Sequence, residues 1–175
     1  MPGHGLRQDK FTAGETLDYA LKEYDFLRKA YSQIDVLGYS LGGVLACYIA
    51  QFRKIDRLIL LAPAFNYINI ENYKPRIIQK SHIGTRDILS LKKVQYFFVF
   101  SKIVRIAKEH IRLISCPVCI IWGEDDFLVS KKSGTFLFRI STNETKFFIT
   151  LKNHNHYNIV KSWETVRLIQ NFLNK

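Results

Sequence analysis

The chain is 175 residues long, enough for one domain with a real core, since a single core of this length buries about two-thirds of the surface its unfolded chain exposes. Its hydrophobic share of 47% and aromatic share of 14% fit a globular protein, and no apolar stretch is long and uncharged enough to span a bilayer; residues 94–107 come closest, but Lys102 and Arg105 interrupt them. The net charge of +11 is spread over loops and helix faces with no basic run of five and no RNA-binding signature, which argues against a nucleic-acid partner and leaves only mild attraction to anionic lipid or acidic substrate. In chain order, the opening MPGHGLRQDK has no apolar leader core, and a soluble, cytoplasmic chain is expected. A helix is predicted over 16–31, with Leu17, Ala20, Leu21, Tyr24, Leu27 and Tyr31 on one face. A short β-branched strand at 34–37 runs into a helix from Leu41, and RLILLA at 57–62 reads as a fully buried strand closed by Pro63. Residues 66–90 are polar and without period, and a helical stretch follows over about 85–114. Strand 118–123, a helix near 130–140, strand 146–151 and a helix over 162–173 complete the chain, the last with Trp163, Val166, Leu168, Ile169, Phe172 and Leu173 as its apolar face.

Strands alternating with helices predict an α/β fold, a mostly parallel sheet with helices on both faces. Three cysteines, an odd number, argue against a disulfide framework and for a reducing compartment. Cys116 and Cys119 form C-P-V-C, but Pro117 opens an apolar strand that takes Cys119 into the core, where a redox thiolate is not stabilised.

In sheets of this class, function gathers at the carboxyl ends of the strands. Three strand ends carry reactive groups: Ser40 after 34–37, Asp125 and Asp126 after 118–123, and His154 and His156 after 146–151. Ser40 stands between Gly38 and Gly42 in G-x-S-x-G, at a strand-to-helix reversal so tight that side chains two positions either way are expected to be minimal. Such a reversal strains the serine backbone and aims its hydroxyl outward, with the free N–H groups of a helix start behind it. Serine followed by aspartate and histidine at successive strand ends supplies a nucleophile, an orienting carboxylate and a base of suitable pKa. Two histidines at i, i+2 in a loop without thiolate or carboxylate neighbours make a poor metal site.

These segments resemble the α/β-hydrolases, in particular carboxylesterases and monoacylglycerol-lipase-like serine hydrolases. GYSLGGVLA at 38–46 is similar to the family's nucleophile segment, CPVCIIWGEDDFLV at 116–129 to its acid segment, and the tail from Lys146 to its last strand, histidine loop and helix. Pro2, Gly3, His4 and Gly5 resemble a turn after the family's fourth strand, and 66–110 falls where the family inserts a small helical cap. The resemblance implies a serine ester hydrolase with Ser40 as nucleophile and the Leu41 N–H as one oxyanion donor. It implies Asp126 as the acid, with Asp125 as the alternative, and His156 as the base, with His154 as the alternative. Tyr39 beside the nucleophile, and Tyr67 and Tyr73 in the cap, are expected at the substrate. No metal and no organic cofactor are implied; the partner is a small-molecule ester.

The same resemblance implies a single domain over 1–175 that is incomplete at its N-terminus, since the family's sheet has more strands before the turn at 2–5. The loop supplying the second oxyanion N–H would be among the missing parts, and removing one such donor lowers rate about 10²–10³-fold. The elbow strand would then be a sheet edge, through which self-association is expected. The alternative function is a non-catalytic, hydrolase-like binding or remnant protein.

Overall fold

The computed structural model describes residues 12–65 and 91–174. The turn at 2–5 and residues 66–90 of the expected cap, Tyr67 and Tyr73 among them, lie outside the described residues. The elements are α1 (Ala13–Arg28), β1 (Asp35–Tyr39), α2 (Leu41–Phe52), β2 (Arg57–Leu61), α3 (Leu91–Glu109), β3 (Val118–Gly123), α4 (Lys132–Ile140), β4 (Lys146–Leu151) and α5 (Trp163–Leu173), with 3-10 turns at Ile111–Leu113 and Ile159–Lys161.

Among the described residues the four strands form one sheet in the order β1-β2-β3-β4, every neighbouring pair parallel. The register sets Leu37 beside Ile59, Ile59 beside Cys119 and Cys119 beside Phe147, so these alternate residues share one face, while Val36, Leu58 and Val118 share the other. Right-handed crossovers between strands laid down in one direction put their helices on one side. Accordingly the core on the Leu58 face gathers residues of α1, α2, α3 and α4, and the smaller core on the Ile59 face gathers Ile159 and Phe172 with Leu168, Ile169 and Leu173 of α5. Both faces are covered, but unequally.

Local signals account for the element ends. Thr12 caps α1: its hydroxyl accepts from the Glu15 N–H at 3.2 Å, and the Glu15 carboxylate accepts from the Thr12 N–H at 2.7 Å. Such a box contributes about 1 kcal/mol and starts the helix earlier than the apolar period alone suggests. Arg53 clamps Asp25 with two bonds of 2.6 and 2.8 Å, tying α1 to the end of α2. The Gln51 amide donates to the Ala107 carbonyl at 2.7 Å and ties α2 to α3.

Two expectations need correction, and a third is refined. Leu17, Ala20 and Tyr24 are buried as the α1 stripe predicts, but the helix stops at Arg28, and Leu27 and Tyr31 are exposed because the stripe outruns the helices it packs on. Within the helical stretch expected over 85–114, the described part is the helix to Glu109 and then a 3-10 turn at Ile111–Leu113, which makes two pieces. Trp163 is 72% exposed and Val166 is also exposed: the residues of α5 that reach the core on this face are Leu168, Ile169, Phe172 and Leu173, nearer its C-terminal end.

Candidate active site

The junction of β1 and α2 places Ser40 at φ 53° and ψ −118°, a left-handed conformation for a non-glycine residue. Such a conformation costs about 1–3 kcal/mol and persists only where the surroundings fix it. Here the Ser40 N–H donates to the Leu61 carbonyl at 3.0 Å, and the Ser40 carbonyl accepts from Gly43 and Ala64, each at 3.1 Å. Ala62 and Asn153, at the carboxyl ends of β2 and β4, also have positive φ, so the backbone strain gathers at the end of the sheet where the reactive groups lie.

The close approach is confirmed on one side of Ser40 and displaced on the other. A Cβ on Gly38 would lie 2.4 Å from the Gly42 carbonyl oxygen and 2.7 Å from Ala46 Cβ. Among the described residues nothing comes within 4 Å of a Cβ on Gly42; Gly43 is the crowded one, 2.8 Å from Pro63 Cβ. The helix turns its Gly43 side, not its Gly42 side, toward the loop that follows β2.

Further residues meet at this junction. His156 Nε2 lies 3.0 Å from Ser40 Oγ, and His156 Nδ1 lies 2.7 Å from Asp126 Oδ2. The other Asp126 oxygen accepts from the N–H groups of Leu128 at 3.0 Å and Val129 at 2.9 Å, and the carboxylate is fully buried. An ionised carboxylate only accepts, so its neighbour Nδ1 carries the ring proton and Nε2 presents a lone pair to the Ser40 hydroxyl. The Leu41 N–H is the first of α2 and belongs to the donors that a helix leaves without internal partners.

Asp125 is exposed; its N–H donates to the His154 carbonyl at 2.8 Å. His154 points away from Ser40, its ring nitrogens 2.7 Å from the Lys152 carbonyl and 2.8 Å from Ser162 Oγ. It is therefore held within the turn rather than turned to solvent. Tyr39, expected at the substrate, donates its hydroxyl to the His156 carbonyl at 2.6 Å and sets its ring 4.9 Å from the imidazole. Burial, and then the nearby Asp126 carboxylate, push the Tyr39 phenol above its ordinary pKa, so it stays a donor.

No family model matches this chain, and no curated protein matches it by sequence. Solved structures do. A structure from the metagenome-derived lipolytic enzymes LipS and LipT shares 17% identity, covers 99% of this chain and 80% of that one, and superposes with a TM-score of 0.74. The monoacylglycerol lipase of Paleococcus ferrophilus shares 14% identity, with 99% and 79% covered and a TM-score of 0.68. The enol-lactonase of Burkholderia xenovorans LB400 shares 19%, with 99% and 78% covered and a TM-score of 0.65. The chain has the α/β-hydrolase fold.

Within this α/β-hydrolase fold, two supports of the site carry no sequence motif. The fully buried Ser133 of α4 accepts from the Phe65 N–H at 2.6 Å and donates to the Pro63 carbonyl, fixing the loop whose Ala64 N–H holds Ser40. A Cβ on Gly123 would lie 2.3 Å from the His154 carbonyl oxygen, so the acid loop and the histidine loop touch through backbone. A groove of about 570 Å³ runs along α3, walled by Phe65, Phe98, Phe100 and Val104 with Lys102, Arg105 and Lys108 beside them. Cys119 is buried in β3, and burial pushes the Cys116 thiol up to about 11, away from the reactive range. Among the described residues no three metal-ligating side chains cluster, and no helix is long and apolar enough to cross a membrane.

Proposed function

We propose that this chain is a serine hydrolase that cleaves carboxylic esters of small or acyl-chain substrates, with Ser40, His156 and Asp126 as its catalytic triad. The observation that supports this reading is the unbroken run of hydrogen bonds from Ser40 Oγ through both ring nitrogens of His156 to the buried Asp126 carboxylate, with the serine strained at a helix start. A serine hydroxyl is a weak nucleophile until a base removes its proton. His156 Nε2 takes that proton as Ser40 Oγ bonds to the ester carbonyl carbon, and the carbonyl oxygen becomes an oxyanion. The Leu41 N–H, at the start of α2, is a donor to that oxygen. Asp126 remains ionised and stabilises the imidazolium.

The protonated Nε2 then gives its proton to the leaving alkoxide as the carbon–oxygen bond breaks, and the acyl group stays on Ser40. Water repeats the sequence with His156 as base, releasing the acid and restoring the hydroxyl. Phe65, one residue beyond the Ala64 N–H that binds the Ser40 carbonyl, is among the residues lining the groove along α3, and this supports an acyl chain as one half of the substrate.

The test is labelling with a fluorophosphonate, which reacts readily with an activated serine. Wild-type protein is expected to be labelled at one site and to hydrolyse p-nitrophenyl esters, and Ser40→Ala to lose both. A folded wild-type protein that takes no label would overturn the reading in favour of a non-catalytic binding protein.

A further inference from the structure

His154 lies two residues before His156 in the turn that leads from β4 to α5, and its side chain is only 12% exposed. Nδ1 stands 2.7 Å from the Lys152 carbonyl, which can only accept, so that nitrogen carries a proton. Nε2 reaches across the turn to Ser162 Oγ at 2.8 Å and Glu164 Oε2 at 3.0 Å. Ser162 is the N-cap of α5, accepting from the N–H groups of Glu164 and Thr165, and Glu164 stands in the first turn of that helix. One imidazole thus spans from the end of β4 to the start of α5.

The main chain of the same residue faces the other way. Its carbonyl accepts from the Asp125 N–H at 2.8 Å, next to Asp126, and presses on Gly123. Asn153, immediately before it, has a φ of 59° and reverses the chain. The path of the turn is therefore fixed by three anchors that meet at His154: β4, α5 and the acid loop. His156, two residues on, must satisfy Ser40 at 3.0 Å and Asp126 at 2.7 Å at once, which leaves its ring little freedom.

We propose that His154 is a positioning residue whose side chain, by tying the turn to the N-terminus of α5, holds His156 in register with both Ser40 and Asp126. For its kinetic consequence the proposal rests on the hydrolase reading above. A displacement of about 1 Å at a reacting group can cost about 10²-fold in rate. Glu164 is largely exposed, so its contact with His154 contributes little to global stability and its value lies in where it holds the turn.

The test compares wild type with His154→Ala, His154→Gln and Glu164→Ala, using kcat and KM on p-nitrophenyl acetate, thermal unfolding, and the low-field proton resonance of the His156 Nδ1–H. Folded His154→Ala is expected to lose about 10–100-fold in kcat, with KM within about twofold and the His156 resonance lost to exchange. His154→Gln, whose amide can reach Ser162 and Glu164, is expected to recover most of that loss, and Glu164→Ala to show a smaller loss of the same kind. Wild-type kcat and an unchanged His156 resonance in folded His154→Ala would overturn the proposal. Should His154→Ala fail to fold, the same two readouts on Glu164→Ala decide it. If wild type is inactive, the hydrolase reading falls by itself and the resonance alone decides the role of His154.

Discussion

Asp126 illustrates how one atom's identity can separate geometry from function. Its Oδ1 takes two backbone N–H bonds, and its Oδ2 faces the His156 Nδ1. In Asp126→Asn the amide oxygen can keep the two backbone bonds, but the amide nitrogen then faces Nδ1 and drives the ring proton to Nε2. The expected result is a fall in kcat of about 10⁴-fold with little change in thermal unfolding, while Asp125→Asn, altering an exposed carboxylate, leaves kcat near wild type. Ester hydrolysis rates of the two variants check this, and wild-type activity in Asp126→Asn with loss in Asp125→Asn would reverse the roles. Gly38 is the steric counterpart. Its missing Cβ would sit 2.4 Å from a backbone oxygen, which no side-chain rotation can relieve. Gly38→Ala is expected to destabilise by about 1–3 kcal/mol, seen as a lower urea midpoint, with kcat falling as well because α2 must retreat from β1.

Among the elements, α3 works on two sides. Ile103 and Ala107 are fully buried in the core, while Phe98, Lys102 and Arg105 are exposed along the groove. Phe97 and Phe98 are exposed too, so of the run FFVF it is Val99 and Phe100 that pack on the core. If the groove receives the acyl chain, filling it should act on substrate length and leave the fold intact. Val104→Trp is expected to lower kcat/KM for a p-nitrophenyl ester of a ten-carbon acid several-fold while sparing the acetate. An equal effect on the two esters would place the acyl chain elsewhere. The turn between β4 and α5 is the other element whose role exceeds its size, since it carries His156 and meets the acid loop through backbone contacts at Gly123 and Asp125.

At the scale of the molecule, the unequal covering of the sheet leaves one consequence at its β1 edge. Leu37 points to the face that α5 covers, but the α5 core gathers residues of β2, β3 and β4 with Tyr39 of β1, and Leu37 remains 50% exposed. Among the described residues β1 pairs only with β2, and the self-association expected through this edge can be tested at Leu37. Leu37→Lys is expected to shift the protein toward monomer at high concentration, as sedimentation velocity would report, without loss of ester hydrolysis. An unchanged sedimentation profile would move any self-association to another surface.

The sequence by itself determined the α/β class, the strands 118–123 and 146–151 to the residue, and the order of serine, aspartate and histidine at the ends of β1, β3 and β4. These follow from period, from β-branched runs and from the G-x-S-x-G reversal, all of which act within a few residues along the chain. Between near neighbours, Asp125 against Asp126 and His154 against His156, the period gives no choice; the family resemblance favours Asp126 and His156, and the tertiary structure shows what surrounds each. The separation comes from contacts between loops about 30 residues apart, where the His154 carbonyl takes the Asp125 N–H and leaves Asp126 and His156 to face each other. The exposure of Trp163 and the crowding of Gly43 in place of Gly42 have the same origin. Helical spacing says which residues share a stripe, but the length and angle of the neighbouring element decide how much of that stripe is covered.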